Sequence, residues 1–254
     1  MRLPMRRAAR RGARQRVAVT ASRVRWCAAA ATVLLGLAAC VRAQTGADVA
    51  LVSDERFRGV SLSNSNPALR ASLNYDHPSG WYVGGTAADV EFDTQRRQGA
   101  LFSYLGYAQR TASGLGWEIG ATAANFAVDT RYNYGEGYVG LIAQRWNARV
   151  YASPSYFGSD HSTVYAEVNG GLPLNQPLGR PLTLFGHVGV LASGRGSPDA
   201  DQKRAHADAS AGLSAGFDGF ELRLTWVVGS HEALYPIPHG QRTNVLVVGL
   251  AYFF

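Results

Sequence analysis

The fold is decided by the stretch Phe220-Glu-Leu-Arg-Leu-Thr-Trp-Val-Val228. Every second residue of it, starting with the phenylalanine, is apolar, whereas Glu221, Arg223 and Thr225 between them are charged or polar. An alternation of period two is typical of a β-strand whose two faces meet different surroundings. We therefore expect one face of this strand to contact an apolar medium and the other a polar one.

The same alternation recurs along the chain from residue 44 onward. Ala68–Tyr75 and Trp117–Ala124 place apolar and polar residues on opposite faces, and Val245–Phe254 carries a continuous apolar row. We predict about twelve strands, each near the roughly 9–11 residues that cross a bilayer as a tilted strand. Their approximate bounds are 49–59, 68–76, 81–92, 100–110, 116–126, 134–144, 148–157, 163–173, 182–193, 206–217, 220–230 and 244–254.

The connections between these strands mostly alternate in length. Short turns are predicted at His77–Gly80, Arg145–Asn147 and Asp218-Gly219, and the longest loops at Gly194–Ala205 and His231–Thr243. Transmembrane barrels have short turns at one rim and longer loops at the other. Asp-Gly between two alternating segments is also a strong signal for a two-residue hairpin. The connections therefore favour consecutive antiparallel strands.

The sequence predicts an all-β fold, a transmembrane antiparallel up-and-down β-barrel of about twelve strands over residues 44–254. A soluble β-sandwich is the alternative, because it too has alternating strands and turns. The barrel is favoured because the charged strand faces need a polar interior and because a closed barrel pairs every backbone group. Aromatic residues near the strand ends fit the girdle of such a barrel: Trp81, Tyr107, Trp117, Trp146, Trp226 and Tyr252.

The first 43 residues differ in composition from the rest. They contain ten arginines and no acidic residue, and an apolar run, Ala28–Ala39, precedes Val41-Arg42-Ala43. This pattern predicts a signal peptide over residues 1–43, cleaved after Ala43. A lipobox-like Leu37-Ala-Ala-Cys40 leaves lipidation of Cys40 as the alternative. The rest of the chain has 15 basic against 18 acidic residues, which excludes a nucleic-acid-binding protein.

The opening of the predicted barrel carries a family resemblance. Asp48–Ser61, Asn66–Tyr75 and Gly80–Gly84 resemble the TorF-family porins, and the resemblance is specific over residues 47–92. Glu55 stands where that family commonly has an aromatic residue. The resemblance implies a barrel in the bacterial outer membrane with a transport role, and the family offers no catalytic residues to carry over.

The last predicted strand resembles the signal that bacterial outer-membrane proteins present to their insertion machinery. Phe254 ends an apolar row that includes Tyr252, and these two residues are the candidate signal. The expected partners are therefore outer-membrane lipid and lipopolysaccharide, the barrel-insertion machinery, and small solutes or ions.

Charged residues on the predicted inner faces are the candidates for function. They are Glu118, Glu221, Arg223, Arg70, Glu136, Arg149 and Glu167, with His187 at the inner face or rim. Fixed charges in a narrow lumen act strongly on ions because low-dielectric walls focus their field. We expect passive diffusion of small solutes or ions through a narrow charged lumen. If opposite charges pair and fill the lumen, the protein is instead a closed structural or adhesive barrel.

Some residues could carry covalent chemistry, but the sequence predicts no enzyme. Gly212-Leu-Ser-Ala-Gly216 fits the motif of serine hydrolases, yet that motif requires a strand-to-helix elbow and here lies in a predicted strand. Asp160-His161-Ser162 and His231-Glu232 lie in predicted loops and leave a lipase-like enzyme as an alternative. Asp199 and Asp201 supply too few oxygens for a calcium site. Neither a metal nor another cofactor is expected.

Overall fold

The protein folds into a closed β-barrel. In the computed structural model, twelve antiparallel strands pair in chain order and the first pairs with the last. The described residues are 45–91, 96–112, 114–174, 179–194, 205–230 and 242–254. The predicted up-and-down barrel is thus confirmed, while the predicted signal peptide and Cys40 lie outside the described residues. No helix in the described part is long and apolar enough to cross a membrane.

Fourteen strands occur among the described residues, and two of them form a separate hairpin. The strands are β1 Thr45–Val52, β2 Arg56–Phe57, β3 Val60–Ser61, β4 Ala68–Asp76, β5 Trp81–Glu91, β6 Arg97–Arg110, β7 Gly116–Phe126, β8 Tyr134–Ile142, β9 Trp146–Ser153, β10 Thr163–Leu174, β11 Leu182–Ser193, β12 Ala205–Phe217, β13 Phe220–Gly229 and β14 Asn244–Phe253. The barrel closes because β1 pairs with both β4 and β14, whereas β2 and β3 pair only with each other.

Consecutive barrel strands run in opposite directions, so the connections lie alternately at two ends. We call the end that holds the β4–β5 and β12–β13 connections the turn end, and the opposite one the loop end. At the turn end, Asp218 and Gly219 have φ angles of 46° and 86°. Two positive φ angles define the type I′ turn that favours Asn-Gly and Asp-Gly. The predicted hairpin at these two residues is confirmed.

The outer face of the barrel is apolar and exposed. Leu222, Leu224 and Trp226 on β13 are 43%, 42% and 52% exposed, whereas Val227 on the inner face is 8% exposed. A contiguous apolar surface around a closed barrel is what a lipid environment requires. The alternation in the sequence therefore predicted correctly which face of this strand lies outside.

Aromatic side chains contact one another at the turn end. The ring of Tyr107 lies 5.4 Å from that of Trp81 and 5.9 Å from that of Trp117, measured between centroids. Near the end of the chain, the ring of Tyr252 lies 4.8 Å from that of Phe220 and 5.0 Å from that of Phe254. The proposed insertion residues are thus part of an aromatic band at the turn end.

The first long connection turns into the barrel. β1 ends at Val52, so the predicted strand 49–59 is wrong beyond that residue. Arg58 and Gly59 have φ angles of 50° and 79°, and this type I′ turn folds β2 onto β3. We call residues 53–67 the inner hairpin segment.

Apolar packing holds the inner hairpin segment inside the loop end. Val60 and Leu62 are 3% and 0% exposed and belong to a cluster with inward-facing residues of the barrel strands. Phe57 stacks on Phe102 of β6 with 5.7 Å between centroids. Burying an aliphatic or aromatic side chain contributes about 1.5–3 kcal/mol. The loop end therefore has a packed apolar core inside the barrel, which the sequence analysis did not predict.

Candidate functional site

Contacts between strands that are not neighbours mark the inner face of the barrel. Side chains two strands apart start about 10 Å from each other in a flat sheet, and only the concave side brings them together. Such contacts connect β5 with β7, β7 with β9, and β10 with β12. They divide the interior into two parts. We call the inner face of β5–β10 the packed wall, and that of β11–β14, β1 and β4 the open wall.

The packed wall contains a buried cluster around Glu118. Its carboxylate accepts hydrogen bonds from Arg149 Nε at 2.6 Å and from the Tyr82 hydroxyl at 2.6 Å. The Tyr138 hydroxyl lies 2.6 Å from that of Tyr82. The side chain of Glu118 is 1% exposed. This arrangement connects four strands, β5, β7, β8 and β9, and leaves the carboxylate out of reach of solvent.

A second buried cluster joins the inner hairpin segment to the packed wall. Arg58 donates to both carboxylate oxygens of Glu136, from Nη1 at 2.9 Å and from Nη2 at 2.6 Å. Its guanidinium carbon lies 3.9 Å from the ring centroid of Tyr165 and 5.1 Å from that of Tyr151. Two parallel hydrogen bonds and stacking on aromatic faces are characteristic of arginine. Arg58 therefore anchors the hairpin inside the barrel.

Arg58 remains positively charged in its buried environment. Burial alone would lower the pKa of Arg58, but the neighbouring Tyr156 and Glu136 raise it above its usual value. The Arg58 carbonyl accepts a hydrogen bond from His206 Nε2 at 2.9 Å. Side chain and backbone of this one residue thus attach the hairpin to β8 and to β12.

A polar network joins the packed wall to the open wall. His187 on β11 places Nε2 2.7 Å from Asp208 Oδ1 and Nδ1 2.7 Å from Asn169 Oδ1. The Tyr165 hydroxyl donates to Asp208 Oδ2 at 3.2 Å. Because these contacts fix both ring nitrogens, His187 orients the polar groups at the border of the two walls.

The open wall encloses a cavity of about 410 Å³. Small inward residues, including Ala50, Gly249 and Ala251, leave this space between the open wall and the inner hairpin segment. Charged side chains from both surround it: Asp48, Asp54, Glu55, Arg56, Arg58, Arg70, Asp208, Glu221 and Arg223. The interior is thus filled on one side and hollow on the other.

The predicted inner residues fall into two groups. Arg70, Glu221 and Arg223 line the cavity. The other four predicted residues lie in the packed wall, where they make hydrogen bonds within the protein: Glu118, Glu136, Arg149 and Glu167. The sequence placed all seven on inner faces but did not separate these groups.

Several residues of the interior were not predicted. Arg58 was assigned to a strand, and the rings of Tyr82, Tyr138 and Tyr165 were not singled out. The Arg58-Gly59 dipeptide was the available signal for a turn. The apolar inward position of Phe126, on the same face of β7 as Glu118, was the signal for a packed interior.

The described residues that were considered for covalent chemistry lie on separate elements of the fold. Ser214 lies on β12, within a strand and without the elbow that its motif requires. Asp160, His161 and Ser162 lie in the β9–β10 connection. No cluster of three or more metal-ligating side chains occurs among the described residues.

The other candidates for chemistry lie outside the described residues. These are His231, Glu232, Asp199 and Asp201.

The fold is shared with solved outer-membrane proteins. The KdgM porin is 11% identical with a TM-score of 0.51, over 82% of this chain and 99% of that chain. The NanC porin is 11% identical with a TM-score of 0.51, over 81% of this chain and 98% of that chain. LpxR from Salmonella typhimurium is 9% identical with a TM-score of 0.47, over 82% of this chain and 100% of that chain. At these identities the first two similarities concern the fold alone.

Sequence comparison identifies a family without a described activity. No curated protein matches the chain. The profile of Gcw_chp, described as a bacterial protein of unknown function, matches residues 39–244 and so covers most of the barrel. The chain belongs to the Gcw_chp family.

Proposed function

We propose that the protein is a porin-like channel of the bacterial outer membrane, through which small solutes or ions diffuse passively. The observation that carries the proposal is the charged cavity of about 410 Å³ inside a closed barrel with an apolar outer face. A twelve-stranded barrel lies between filled eight-stranded barrels and open sixteen-stranded porins. A narrow path is therefore consistent with its size.

The path follows the open wall. Glu221 and Arg223 are 26% and 50% exposed as side chains, so their charges act on a passing ion. The inner hairpin segment narrows the loop end and sets the access to the path. Selectivity then depends on the charges of the open wall and on the width beside the hairpin.

The location and partners follow from the same proposal. Residues 1–43 direct export, and the resemblance of residues 47–92 to the TorF-family porins supports an outer-membrane location. The intact mass of the exported protein distinguishes a terminus at Gln44 from a lipidated Cys40. Tyr252 and Phe254 act as the signal for the barrel-insertion machinery, and the apolar outer face contacts lipid and lipopolysaccharide.

Planar-bilayer recording of the purified, refolded protein tests the channel. We expect stepwise conductance from the wild type. Leu224→Arg is the control for insertion, because a cation at the bilayer midplane on the lipid face costs about 2–4 kcal/mol. It should reduce the number of channels without changing their selectivity.

A closed structural barrel is the second candidate, favoured by the apolar packing of Val60 and Leu62 inside the loop end. If fully folded wild-type protein passes no current at any salt concentration, the channel is refuted and the closed barrel is accepted. A lipid-hydrolysis assay on the same preparation distinguishes both from a lipase-like enzyme.

A further inference from the structure

Most charged groups around the cavity already have partners. Arg223 Nη2 lies 2.9 Å from Glu221 Oε1, and Arg56 Nε lies 2.7 Å from Asp54 Oδ2. His187 contacts Asp208, and Arg58 contacts Glu136. Paired charges of this kind have little capacity left to bind a solute strongly. The unpaired groups are therefore the ones to consider.

Arg70 forms no ion pair within 4.0 Å among the described residues. Its Nε is buried and makes no hydrogen bond. Its cross-strand neighbours on the inner face are Ala50 on β1 and Ala88 on β5, which are too small to cover the guanidinium. Arg70 lines the cavity, so the terminal nitrogens of its guanidinium are the donors that a solute there contacts.

Two carboxylates near Arg70 are also unpaired among the described residues. Asp48 lies diagonally across the β1–β4 pair, since Ala50 is opposite Arg70 and Asp48 is two residues further along the same face. Glu55 is 8% exposed and interacts electrostatically with Arg70, without forming an ion pair within 4.0 Å. Both carboxylates line the same cavity.

We propose that this part of the cavity binds small zwitterions that carry one carboxylate and one ammonium group, such as short α-amino acids. The fork of donors on Arg70 fits the carboxylate of the solute. Glu55 and Asp48 accept from its ammonium group. A simple anion would place a further negative charge beside two carboxylates, and a simple cation would be repelled by Arg70.

The inference rests on the proposed channel, because it names the class of solute that passes. Binding can nevertheless be measured without current, so the two proposals fail separately. A barrel that conducts but does not prefer zwitterions refutes only the inference. A folded barrel that binds zwitterions but passes no current refutes only the channel.

The experiment compares alanine, propionate and ethylammonium, which share a short carbon chain and differ in charged groups. Dissociation constants are measured by saturation-transfer NMR on the refolded full-length barrel in detergent micelles. We expect alanine to bind at least tenfold more tightly than either other probe. Arg70→Gln should weaken alanine binding at least tenfold. Glu55→Gln should reduce the preference for alanine over propionate at least threefold.

Controls keep the result interpretable. Arg110→Gln changes an exposed arginine at the turn end and should leave all three affinities unchanged. Arg70→Lys keeps the positive charge but loses the paired guanidinium donors, so its affinity for alanine should be intermediate. This variant replaces Arg70→Gln in the test if Arg70→Gln does not fold. Equal binding of propionate and alanine, tighter binding of ethylammonium, or no binding of any probe to folded wild type would overturn the proposal.

Discussion

The packed wall and the open wall both consist of strands with alternating polarity, but the charged side chains are buried on the packed wall and exposed on the open wall. On the packed wall, Glu118 is 1% exposed as a side chain and is bound by Arg149. On the open wall, the Arg223–Glu221 pair is 50% and 26% exposed. The difference comes from neighbours: tyrosines reach across the packed wall and exclude water, whereas alanine and glycine leave room on the open wall. The charges of the open wall therefore border the cavity because the residues around them are small.

The largest expected effect is a loss of stability when an ion pair of the packed wall is broken. Arg149→Ala leaves the buried carboxylate of Glu118 without its cation. Breaking a buried ion pair in this way costs about 3–5 kcal/mol. We expect a corresponding loss in the free energy of unfolding, measured by urea unfolding of the barrel in lipid vesicles.

The matched control for this variant is Arg223→Ala on the open wall. An exposed ion pair contributes about 0–1 kcal/mol, so the unfolding free energy should change little. Equal losses in the two variants would show that the two walls do not differ energetically.

The next effect concerns the inner hairpin segment. The double variant Arg58→Gln/Glu136→Gln removes the ion pair that anchors the hairpin without leaving a buried unpaired charge. We expect the hairpin to move more freely and the single-channel conductance in planar bilayers to rise several-fold. Arg110→Gln, which changes an exposed arginine at the turn end, is the control. Unchanged conductance in the double variant would mean that the hairpin does not narrow the path.

The barrel itself could be predicted from sequence because its apolar outside and its polar interior require residues of alternating polarity along each strand. Phe220–Trp226 alternates strictly, since one face lies on the apolar outside of the barrel and the other faces the interior. Asp218-Gly219 identifies a hairpin because few other residues adopt two consecutive positive φ angles. These signals are local, so they can be found without knowing which strands are neighbours.

The division of the interior could not be predicted in the same way. Glu118 and Glu221 have equivalent local patterns, and their different burial depends on strands distant in sequence. Arg58 contacts Glu136 across 78 residues, and no local pattern indicates that pairing. The inner hairpin segment begins with four polar residues, Ser53-Asp-Glu-Arg56, which interrupt the alternation of β1. This interruption and the Arg58-Gly59 turn do not indicate that the segment folds into the barrel.

A smaller effect distinguishes the walls by ion selectivity. Glu221→Gln should shift the reversal potential toward anions, and Arg223→Gln should shift it toward cations, because each charge lies on the open wall. Both shifts should shrink in 1 M salt, where the Debye length falls to about 3 Å. Glu118→Gln is the control for the packed wall: its carboxylate is buried, so selectivity should stay as in the wild type. A shift for Glu118→Gln equal to that for Glu221→Gln would contradict the division into two walls.

The smallest effect concerns Glu55, where the inner hairpin segment meets the open wall. Burial raises the pKa of its carboxyl, Arg70 opposes the rise, and Asp54 adds to it. Since the folded protein then holds this proton more tightly than the unfolded chain, wild-type stability decreases as the pH rises from the ordinary glutamate pKa, about 4.3, through the raised one. Glu55→Gln cannot ionise and should be more stable than wild type above that range, with no such advantage below it. Urea-unfolding midpoints measured against pH should therefore diverge as the pH rises. Parallel curves would show that the Glu55 carboxylate is solvated at the border of the cavity like the charges of the open wall.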